Sequence, residues 1–238
     1  MKKIGAELIA YAGRYEITVT PEQAERFQSY MELLLEWNTK INLTAITEPD
    51  EIAAKHFLDC ILLLKFCDVP SGAKFIDVGT GAGFPGVVMK IMRPDLRLTL
   101  LDSLNKRLLV LSDILGRLGL DAELLHGRAE EVGRKPQYRL QYEFAAARAV
   151  ASLPVLCEYC LPFLKKGGVF AAMKGPDPRD EAAKAGKAVS ALGCAFLKTE
   201  EYTLPNGEGR SVILIRRTAG LPVLYPRHGS KIAKSPIL

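Results

Sequence analysis

A glycine-rich segment at residues 75–86 is the feature that most constrains the fold of this 238-residue chain. An apolar stretch leads through Asp77 into a turn that carries Gly79, Gly81 and Gly83, and Asp102 closes the next apolar stretch. Glycines permit positive φ and let the backbone approach a ligand that a Cβ would exclude. The G-x-G-x-x-G spacing, with a carboxylate about twenty residues further on, predicts a cofactor pocket between a strand and a helix.

The charge at the end of the first strand bears on the identity of the cofactor. In the dinucleotide fingerprint a helix N-terminus receives a pyrophosphate, and a carboxylate at Asp77 would repel that group. S-adenosylmethionine has no phosphate and carries an ammonium and a sulfonium, so its charge suits an acidic strand end. The segment therefore favours S-adenosylmethionine. A nicotinamide cofactor and a purely structural turn remain the alternatives.

Composition and cysteine usage predict a cytoplasmic protein. An apolar share of 48% is ample for a buried core, and the longest apolar runs fall far short of the roughly 20 residues that cross a bilayer. Five cysteines without a regular framework are typical of free thiols in a reducing compartment. Cys157 and Cys160 could form half a zinc site or a redox pair. No second C-x-x-C exists, so buried structural thiols are favoured and no metal is expected.

Positive charge is concentrated at the end of the chain. The net charge is only +5, but residues 210–238 contain no acidic residue. The basic residues of this stretch are Arg210, Arg216, Arg217, Arg227, Lys231 and Lys234. Neutralising phosphates releases counterions, so such an arm predicts a polyanionic partner. The alternative is a solvated tail that aids solubility.

Residues 1–70 are predicted to form a helical N-terminal extension. Thr20 and Gln23 make a capping box at the start of a helix, with a proline at its first position. Apolar residues then recur at helical spacing and continue to Trp37, which we expect in the core. Proline, serine and glycine at residues 70–72 mark the boundary with the next domain.

A second helix of the extension is expected from Asp50, as its cap, to about residue 66. His56 and Asp59 lie three residues apart on it and could reach each other. A surface hydrogen bond between these two side chains is favoured over a role at a substrate.

Strands and helices alternate from residue 71 onward, which predicts a doubly wound parallel sheet within a domain of residues 71–218. Strands are expected at 74–78, 96–102, 123–125, 144–147 and 168–173, and helices after Pro85 and at 103–118, 155–163 and 180–192. Two further β-rich runs, 196–204 and 210–217, flank a turn signal and predict an antiparallel hairpin. This α/β arrangement is Rossmann-like and mostly parallel, ends in an antiparallel hairpin, and is expected of class I S-adenosylmethionine-dependent methyltransferases. Residues 219–238 are predicted to be a basic C-terminal tail.

Short motifs recur along nearly the whole chain. They are the segment 75–86, Leu-Asp-Ser at 101–103 with Lys-Arg at 106–107, His-Gly-Arg-Ala-Glu-Glu at 126–131, Arg-Ala-Val-Ala at 148–151, Met-Lys-Gly at 173–175 and Tyr-Pro-Arg at 225–227, with Trp37, Asn38, Asn42, Leu43, Thr44, His56 and Asp59. Together they resemble the RsmG (GidB) family of bacterial 16S ribosomal RNA guanine-N7 methyltransferases. The resemblance implies methyl transfer from S-adenosylmethionine to N7 of guanosine 527 of 16S rRNA, presented by the 30S subunit or its precursor.

The resemblance also implies roles for single residues. Gly79 and Phe84 would line the methionine end of the cofactor, and Asp102 would bind the ribose hydroxyls. The other residues assigned to the cofactor are the motif positions Asp77, Gly81, Gly83 and Ser103 together with Ala129, Glu130 and Arg148. Those assigned to the RNA are Arg128, Lys174 and Arg210 around the target nucleotide and Arg227 in the tail.

The implied reaction needs no catalytic base. Guanine N7 presents an unprotonated in-plane lone pair at neutral pH, so orientation can supply about 7 to 11 kcal/mol of barrier reduction. Arg148 and Lys174 are interpreted as the catalytic positioning and electrostatic groups, since an arginine cannot give up its proton. Both could instead be ordinary ion pairs at strand ends.

Two other classes of function stay open. One is a nicotinamide-dependent oxidoreductase, against which Asp77 and the terminal hairpin argue. The other is a non-catalytic RNA-binding ribosome factor with a vestigial pocket, which differs from the enzyme only in turnover. No membrane partner is predicted, and a monomer is compatible with the sequence.

Overall fold

The structure is a computed structural model that describes residues 2–238, and its centre is one seven-stranded sheet. The strands are β1 (Lys74–Val78), β2 (Arg97–Asp102), β3 (Glu123–His126), β4 (Tyr142–Arg148), β5 (Leu164–Lys174), β6 (Cys194–Thr203) and β7 (Gly209–Arg217). Their order is β3-β2-β1-β4-β5-β7-β6. Strands β1 to β5 run parallel, and β7 lies antiparallel between β5 and β6. The predicted fold class, with its terminal antiparallel hairpin, is confirmed.

Helices form an N-terminal group and then alternate with the strands. They are α1 (Gly5–Gly13), α2 (Pro21–Asn38), α3 (Pro49–Glu51), α4 (Asp59–Ile61), α5 (Leu63–Phe66), α6 (Gly86–Met92), α7 (Asn105–Leu118), α8 (Ala129–Val132), α9 (Leu153–Cys160), α10 (Arg179–Ala191) and α11 (Gly229–Lys234). A π-helical segment, Ile52–Leu58, joins α3 to α4. Successive side chains of a strand point to opposite faces, so Phe75 and Ile76 enter two different hydrophobic clusters.

The N-terminal helices pack on one face of the sheet, in the hydrophobic cluster that contains Phe75. The capping box forms as predicted, because Thr20 Oγ1 accepts from the Gln23 amide at 3.2 Å and Gln23 Oε1 accepts from the Thr20 amide at 2.9 Å. Tyr30 of α2 donates its hydroxyl to the carbonyl of Ala82 at 2.6 Å. Trp37 is half-buried and donates its indole N–H to Asp113 of α7 at 2.7 Å. The extension is therefore anchored to both the glycine turn and the following helix.

The helix whose N-cap is predicted at Asp50 begins two residues earlier than expected. Pro49 is its first residue, so its N-cap is Glu48 and the prediction for Asp50 is wrong. The reason is that proline suits the first helical position, where an N–H would have no partner. The following segment, Ile52–Leu58, is π-helical, a winding found frequently at functional sites.

His56 and Asp59 lie in the interior rather than on the surface. Their exposed fractions are 8% and 3%. The predicted surface hydrogen bond between them is wrong, since Arg148 of β4 bonds to both. These hydrogen bonds hold both residues at the end of β4.

The C-terminal tail is docked on the domain. Arg139 donates to the carbonyl of Tyr225 at 2.6 Å and to that of Pro222 at 3.2 Å. Arg227 pairs with Glu158 of α9, and Ile232 of α11 is fully buried. The tail is therefore not a freely solvated arm.

Residues 2–238 contain neither a candidate membrane-spanning helix nor a disulfide bond. None of their helices is both long and apolar enough to span a membrane. All five cysteines are buried free thiols, and Cys157 and Cys160 pack in the apolar cluster of one sheet face. Burial raises the pKa of the Cys157 thiol well above its ordinary value.

Candidate active site

The turn after β1 has the backbone conformation that its glycines predict. Gly79, Gly81 and Gly83 have φ values of +72°, +59° and +102°. A Cβ on Gly79 would lie 2.7 Å from the side chain of Val150, and one on Gly83 would lie 2.5 Å from the hydroxyl of Tyr30. Glycine is required here both by the dihedral angle and by the closeness of the neighbours.

Asp77 is fully buried behind this turn and stabilises it. Its Oδ2 accepts from the Thr80 hydroxyl at 2.7 Å and from the Gly86 amide at 2.8 Å. Within residues 2–238, its Oδ1 has no hydrogen-bond partner. Burial raises the pKa of Asp77 to about 6. Gly86 begins α6, so this carboxylate already occupies the helix N-terminus that would receive a pyrophosphate.

A first cavity of about 240 Å³ opens at the carboxyl ends of β1, β2 and β4. The predicted cofactor residues in its lining are Gly79, Asp102, Ser103, Ala129 and Glu130. Asp77, Gly81, Gly83, Phe84 and Arg148, also assigned to the cofactor, do not line it. The cavity lies at the boundary between β1 and β4, where the strand order of the sheet reverses. Open α/β sheets bind ligands at such a boundary.

Asp102 ends β2 at the wall of this first cavity and is 3% exposed. Its Oδ2 accepts from the Gly81 amide at 3.0 Å, and its Oδ1 accepts from the Leu104 amide at 2.9 Å. The second bond turns the chain, so α7 begins at Asn105 and not at residue 103 as predicted. Arg107 Nη1 also donates to Oδ2, at 3.5 Å, so of about four acceptor positions on the carboxylate roughly one remains for a further hydroxyl group.

A second cavity, of about 350 Å³, shares Ala149 with the first. Its lining consists of Ile46, Lys55, His56, Asp59, Arg148, Ala149, Met173, Lys174, Gly175 and Arg210. The structure thus brings together Arg148, Lys174 and Arg210, which lie far apart in the sequence. Ala149 has φ +56°, an uncommon conformation for a residue with a Cβ and one that clusters at functional sites.

Arg148 joins the sheet to the π-helical segment. Its Nη1 donates to the carbonyl of Lys55 at 3.0 Å and to Asp59 Oδ2 at 3.2 Å, and its Nη2 donates to His56 Nδ1 at 3.1 Å. Tyr202 of β6 donates its hydroxyl to the other Asp59 oxygen at 2.7 Å. The guanidinium is therefore fixed from several sides at the wall of the second cavity.

The ring of Phe84 packs against both His56 and Arg148. It is 5% exposed, and its ring centroid lies 4.5 Å from that of His56, with an interplanar angle of 26°. The guanidinium carbon of Arg148 lies 4.7 Å from the same centroid, a cation–π contact. The Phe84 ring thus belongs to the core beneath Arg148, whereas the resemblance assigned it to the methionine end of the cofactor.

Lys174 and Arg210 are also held by carboxylates. Lys174 Nζ donates to Glu181 at 2.8 Å and to the carbonyl of Ala151 at 2.7 Å. Arg210 donates to Glu208 at 2.6 Å. Arg148 and Lys174 therefore form the strand-end ion pairs considered as an alternative, and at the same time they line the second cavity.

The other two basic residues assigned to the RNA lie elsewhere. Arg128 is exposed and lines the first cavity instead of the second. The guanidinium of Arg227 is engaged by Glu158, whose carboxylate is fully buried, and by the carbonyl of Ser235 at 2.9 Å. Since a buried charge requires a partner, Arg227 has a structural role here, and its contact with RNA stays a prediction.

Several residues of the site escape sequence reasoning. Lys55 lines the second cavity, and Tyr202 donates to the Asp59 carboxylate. Tyr159 and Val150 line the first cavity. The sequence does carry a signal for burial at His56, because a polar residue within an otherwise apolar helix indicates a buried group with a partner. Nothing in the sequence identifies that partner.

The chain shares its fold with solved structures. TrmN from Thermus thermophilus matches with a TM-score of 0.53 and 18% identity, over 67% of this chain and 48% of that chain. The [4+2]-cyclase SpnF matches with a TM-score of 0.54 and 14% identity, over 68% of this chain and 82% of that chain. At such identities the likeness concerns the fold alone. With the strand order and the terminal antiparallel hairpin, the fold is that of a class I methyltransferase.

Similarity of sequence defines the family of this chain. The GidB family model, described as rRNA small subunit methyltransferase G, matches residues 23–208. A protein named ribosomal RNA small subunit methyltransferase G from Desulforamulus reducens is 45% identical over 95% of both chains. Another of that name from Lactococcus lactis subsp. lactis is 44% identical over 97% of this chain and 98% of its own. The chain belongs to the GidB family of small-subunit ribosomal RNA methyltransferases.

Proposed function

We propose that this enzyme transfers a methyl group from S-adenosylmethionine to N7 of guanosine 527 in 16S rRNA, presented by the 30S subunit or its precursor. The observation that carries the proposal is the pair of cavities that share Ala149. One has carboxylates suited to a nucleoside, and the other has cations suited to RNA. A donor in the first would present its methyl group to a base in the second. The name of the relatives supports ribosomal RNA as the substrate.

The residues of the first cavity fit the adenosyl part of S-adenosylmethionine. Asp102 has a free acceptor position for a ribose hydroxyl, and Tyr159 and Val150 offer aromatic and apolar surface to a base. Glu130 in the lining supplies negative charge beside a cationic donor, whereas Asp77 is buried behind the glycine turn and does not reach this cavity. The occupied N-terminus of α6 argues against a pyrophosphate, and hence against a nicotinamide cofactor.

The chain's own residues would act mainly by orientation. When bound, S-adenosylmethionine supplies a sulfonium methyl group, whose carbon bonds to N7 while the carbon–sulfur electron pair stays on sulfur. N7 loses no proton, so no side chain is assigned as a base. Arg148 and Lys174 are assigned to positioning the base, and their partners Asp59 and Glu181 balance their charge. Methylation leaves the guanine cationic, so the two carboxylates reduce its repulsion by Arg148 and Lys174.

Methyl transfer to isolated subunits tests the proposal. Purified protein is incubated with methyl-labelled S-adenosylmethionine and 30S subunits from cells that lack it, and the labelled rRNA is mapped by mass. We expect one labelled guanosine, at position 527, carrying the methyl group on N7. Label at another position would overturn the assignment of the target. RNA binding without any transfer would instead favour a ribosome factor without catalytic activity.

A further inference from the structure

Arg148 uses only part of its hydrogen-bonding capacity within the described chain. A guanidinium has five N–H donors in one plane. Three are accounted for by the Lys55 carbonyl, Asp59 and His56. Among residues 2–238, no acceptor is bonded to Nε or to the second hydrogen of Nη2. Because the side chain is 15% exposed and lines the second cavity, these donors are available to a ligand there.

The hydrogen-bond network assigns the tautomer of His56. Arginine can only donate, so His56 Nδ1 must be the acceptor of the bond from Arg148. The proton is therefore on Nε2, which donates to Thr44 Oγ1 at 2.8 Å. Burial, and then the neighbouring charge of Arg148, lower the pKa of His56 to about 3. His56 is thus a neutral, fixed acceptor that orients Arg148 and does not carry protons.

Asp59 completes the support of the guanidinium. It is 3% exposed and shares its two oxygens between Arg148 and Tyr202. The charges of Asp59 and Arg148 largely cancel. Phe84 covers one face of the guanidinium. The only polar edge left to Arg148 is therefore the one with the unused donors.

We propose that this free edge of Arg148 donates to O6 of the target guanine and that His56 is the positioning residue that directs it. The inference rests on the proposed function. Arginine commonly binds O6 and N7 of guanine together. Here N7 must keep its lone pair for the methyl group, so O6 alone accepts. Adenine has an amino donor at that position, which would face the donors of Arg148, so the contact also selects guanine over adenine.

The test combines base analogues with variants of the protein. Subunits are reconstituted with guanosine, inosine or 2-aminopurine riboside at the target position. Inosine keeps O6, whereas 2-aminopurine lacks it, and both keep N7. With the wild-type enzyme we expect kcat/KM to fall about 10- to 100-fold for 2-aminopurine and to change little for inosine.

The variants assign that loss to Arg148 and His56. On guanosine, kcat/KM of Arg148→Lys and of His56→Phe should fall by a similar factor. On 2-aminopurine, kcat/KM of these variants should lie close to the wild-type value for that base, because the O6 contact is already absent. His56→Gln offers both an acceptor and a donor and should recover much of the loss. Titration with S-adenosylhomocysteine should show the same affinity for His56→Phe and the wild type.

Two outcomes would overturn the inference. One is equal methylation of 2-aminopurine and guanosine by the wild type. The other is a fall in kcat/KM of the Arg148 and His56 variants by the same factor on guanosine and on 2-aminopurine. That result would indicate a structural effect only. If His56→Phe does not fold, the Arg148→Lys comparison still decides. Failure of the proposed function looks different, because wild-type enzyme would then leave the guanosine target unmethylated.

Discussion

Asp77 at the end of β1 accepts a hydrogen bond from the Gly86 amide, the first residue of α6, at 2.8 Å. One buried carboxylate thus connects the strand, the glycine turn and the helix. Its other oxygen, Oδ1, has no partner among residues 2–238. The turn is held together by a charge whose burial is unfavourable, and this has a consequence for pH.

The stability of the protein should depend on ionisation of Asp77 between pH 4 and 6. Its pKa is raised from an ordinary value near 3.8 to about 6. In this window the folded state keeps the proton that the unfolded state loses, so the free energy of unfolding falls as pH rises and stays lower above pH 6. At about 1.4 kcal/mol per pKa unit the loss is on the order of 3 kcal/mol.

Urea unfolding of the wild type and Asp77→Asn from pH 4 to 7 measures this contribution. The stability of the wild type relative to the variant should decrease through the window. His56 titrates with the opposite sign, since its pKa is lowered, but it is present in both proteins and cancels in the difference. Parallel curves would contradict the prediction.

Asp102→Ala should weaken cofactor binding strongly. The change removes the proposed ribose acceptor and the bonds to the Gly81 and Leu104 amides that shape the cavity. Hydrogen bonds to a charged group contribute about 1.5 to 3 kcal/mol, so the affinity for S-adenosylhomocysteine should fall roughly 10- to 100-fold by calorimetric titration. Lys231→Ala, on the exposed tail, is the control and should keep the wild-type affinity. Equal losses in the two variants would refute the assignment.

Lys231→Ala should instead change how RNA binding responds to salt. Lys231 is exposed on α11 in the basic tail. A lysine that contacts one phosphate contributes about one unit to the slope of log affinity against log salt concentration. We expect the slope for 30S binding to become shallower by about one, while Asp102→Ala leaves it unchanged. An unaltered slope in Lys231→Ala would exclude a phosphate contact at this residue.

Arg227→Ala should destabilise the fold more than any exposed basic substitution. Without Arg227 the fully buried carboxylate of Glu158 loses its charged partner. Breaking a buried pair in this way costs about 3 to 5 kcal/mol. Urea unfolding should show that loss, and adding Glu158→Gln should restore part of it because no buried charge then remains. Lys234→Ala, an exposed residue of the same tail, serves as the control and should unfold like the wild type.

Gly83→Ala should destabilise the glycine turn. A Cβ would lie 2.5 Å from the Tyr30 hydroxyl and 2.7 Å from Val87, and φ is +102°. The strain and the overpacking together should cost about 3 kcal/mol in thermal or urea unfolding. Gly116→Ala is the matched control: it lies inside α7, where a Cβ would meet nothing within 4 Å. That variant should be slightly more stable than the wild type; similar losses at both glycines would argue against the steric cause.

Much of the fold follows from patterns that neighbouring residues share. The capping box at Thr20, the positive φ angles at Gly79 and Gly83 and the terminal hairpin all appear as predicted. Asp50 and residue 103 were assigned to helix starts that lie at Pro49 and Asn105. Those boundaries depend on single side-chain bonds and on one proline, which periodicity does not reveal.

The sequence by itself determined the order of strands and helices, the glycine turn and the family, because these depend on local dihedral preferences, on alternation of apolar residues and on motifs along the chain. Only the tertiary structure decided that Arg148 is held by His56 and Asp59, that Tyr202 holds Asp59 from 143 residues away and that Arg227 serves a buried glutamate. The physical reason is that these pairs depend on which buried charges and donors lie next to each other once helices and strands have packed. Each pair is required because an unpaired buried polar group would destabilise the fold.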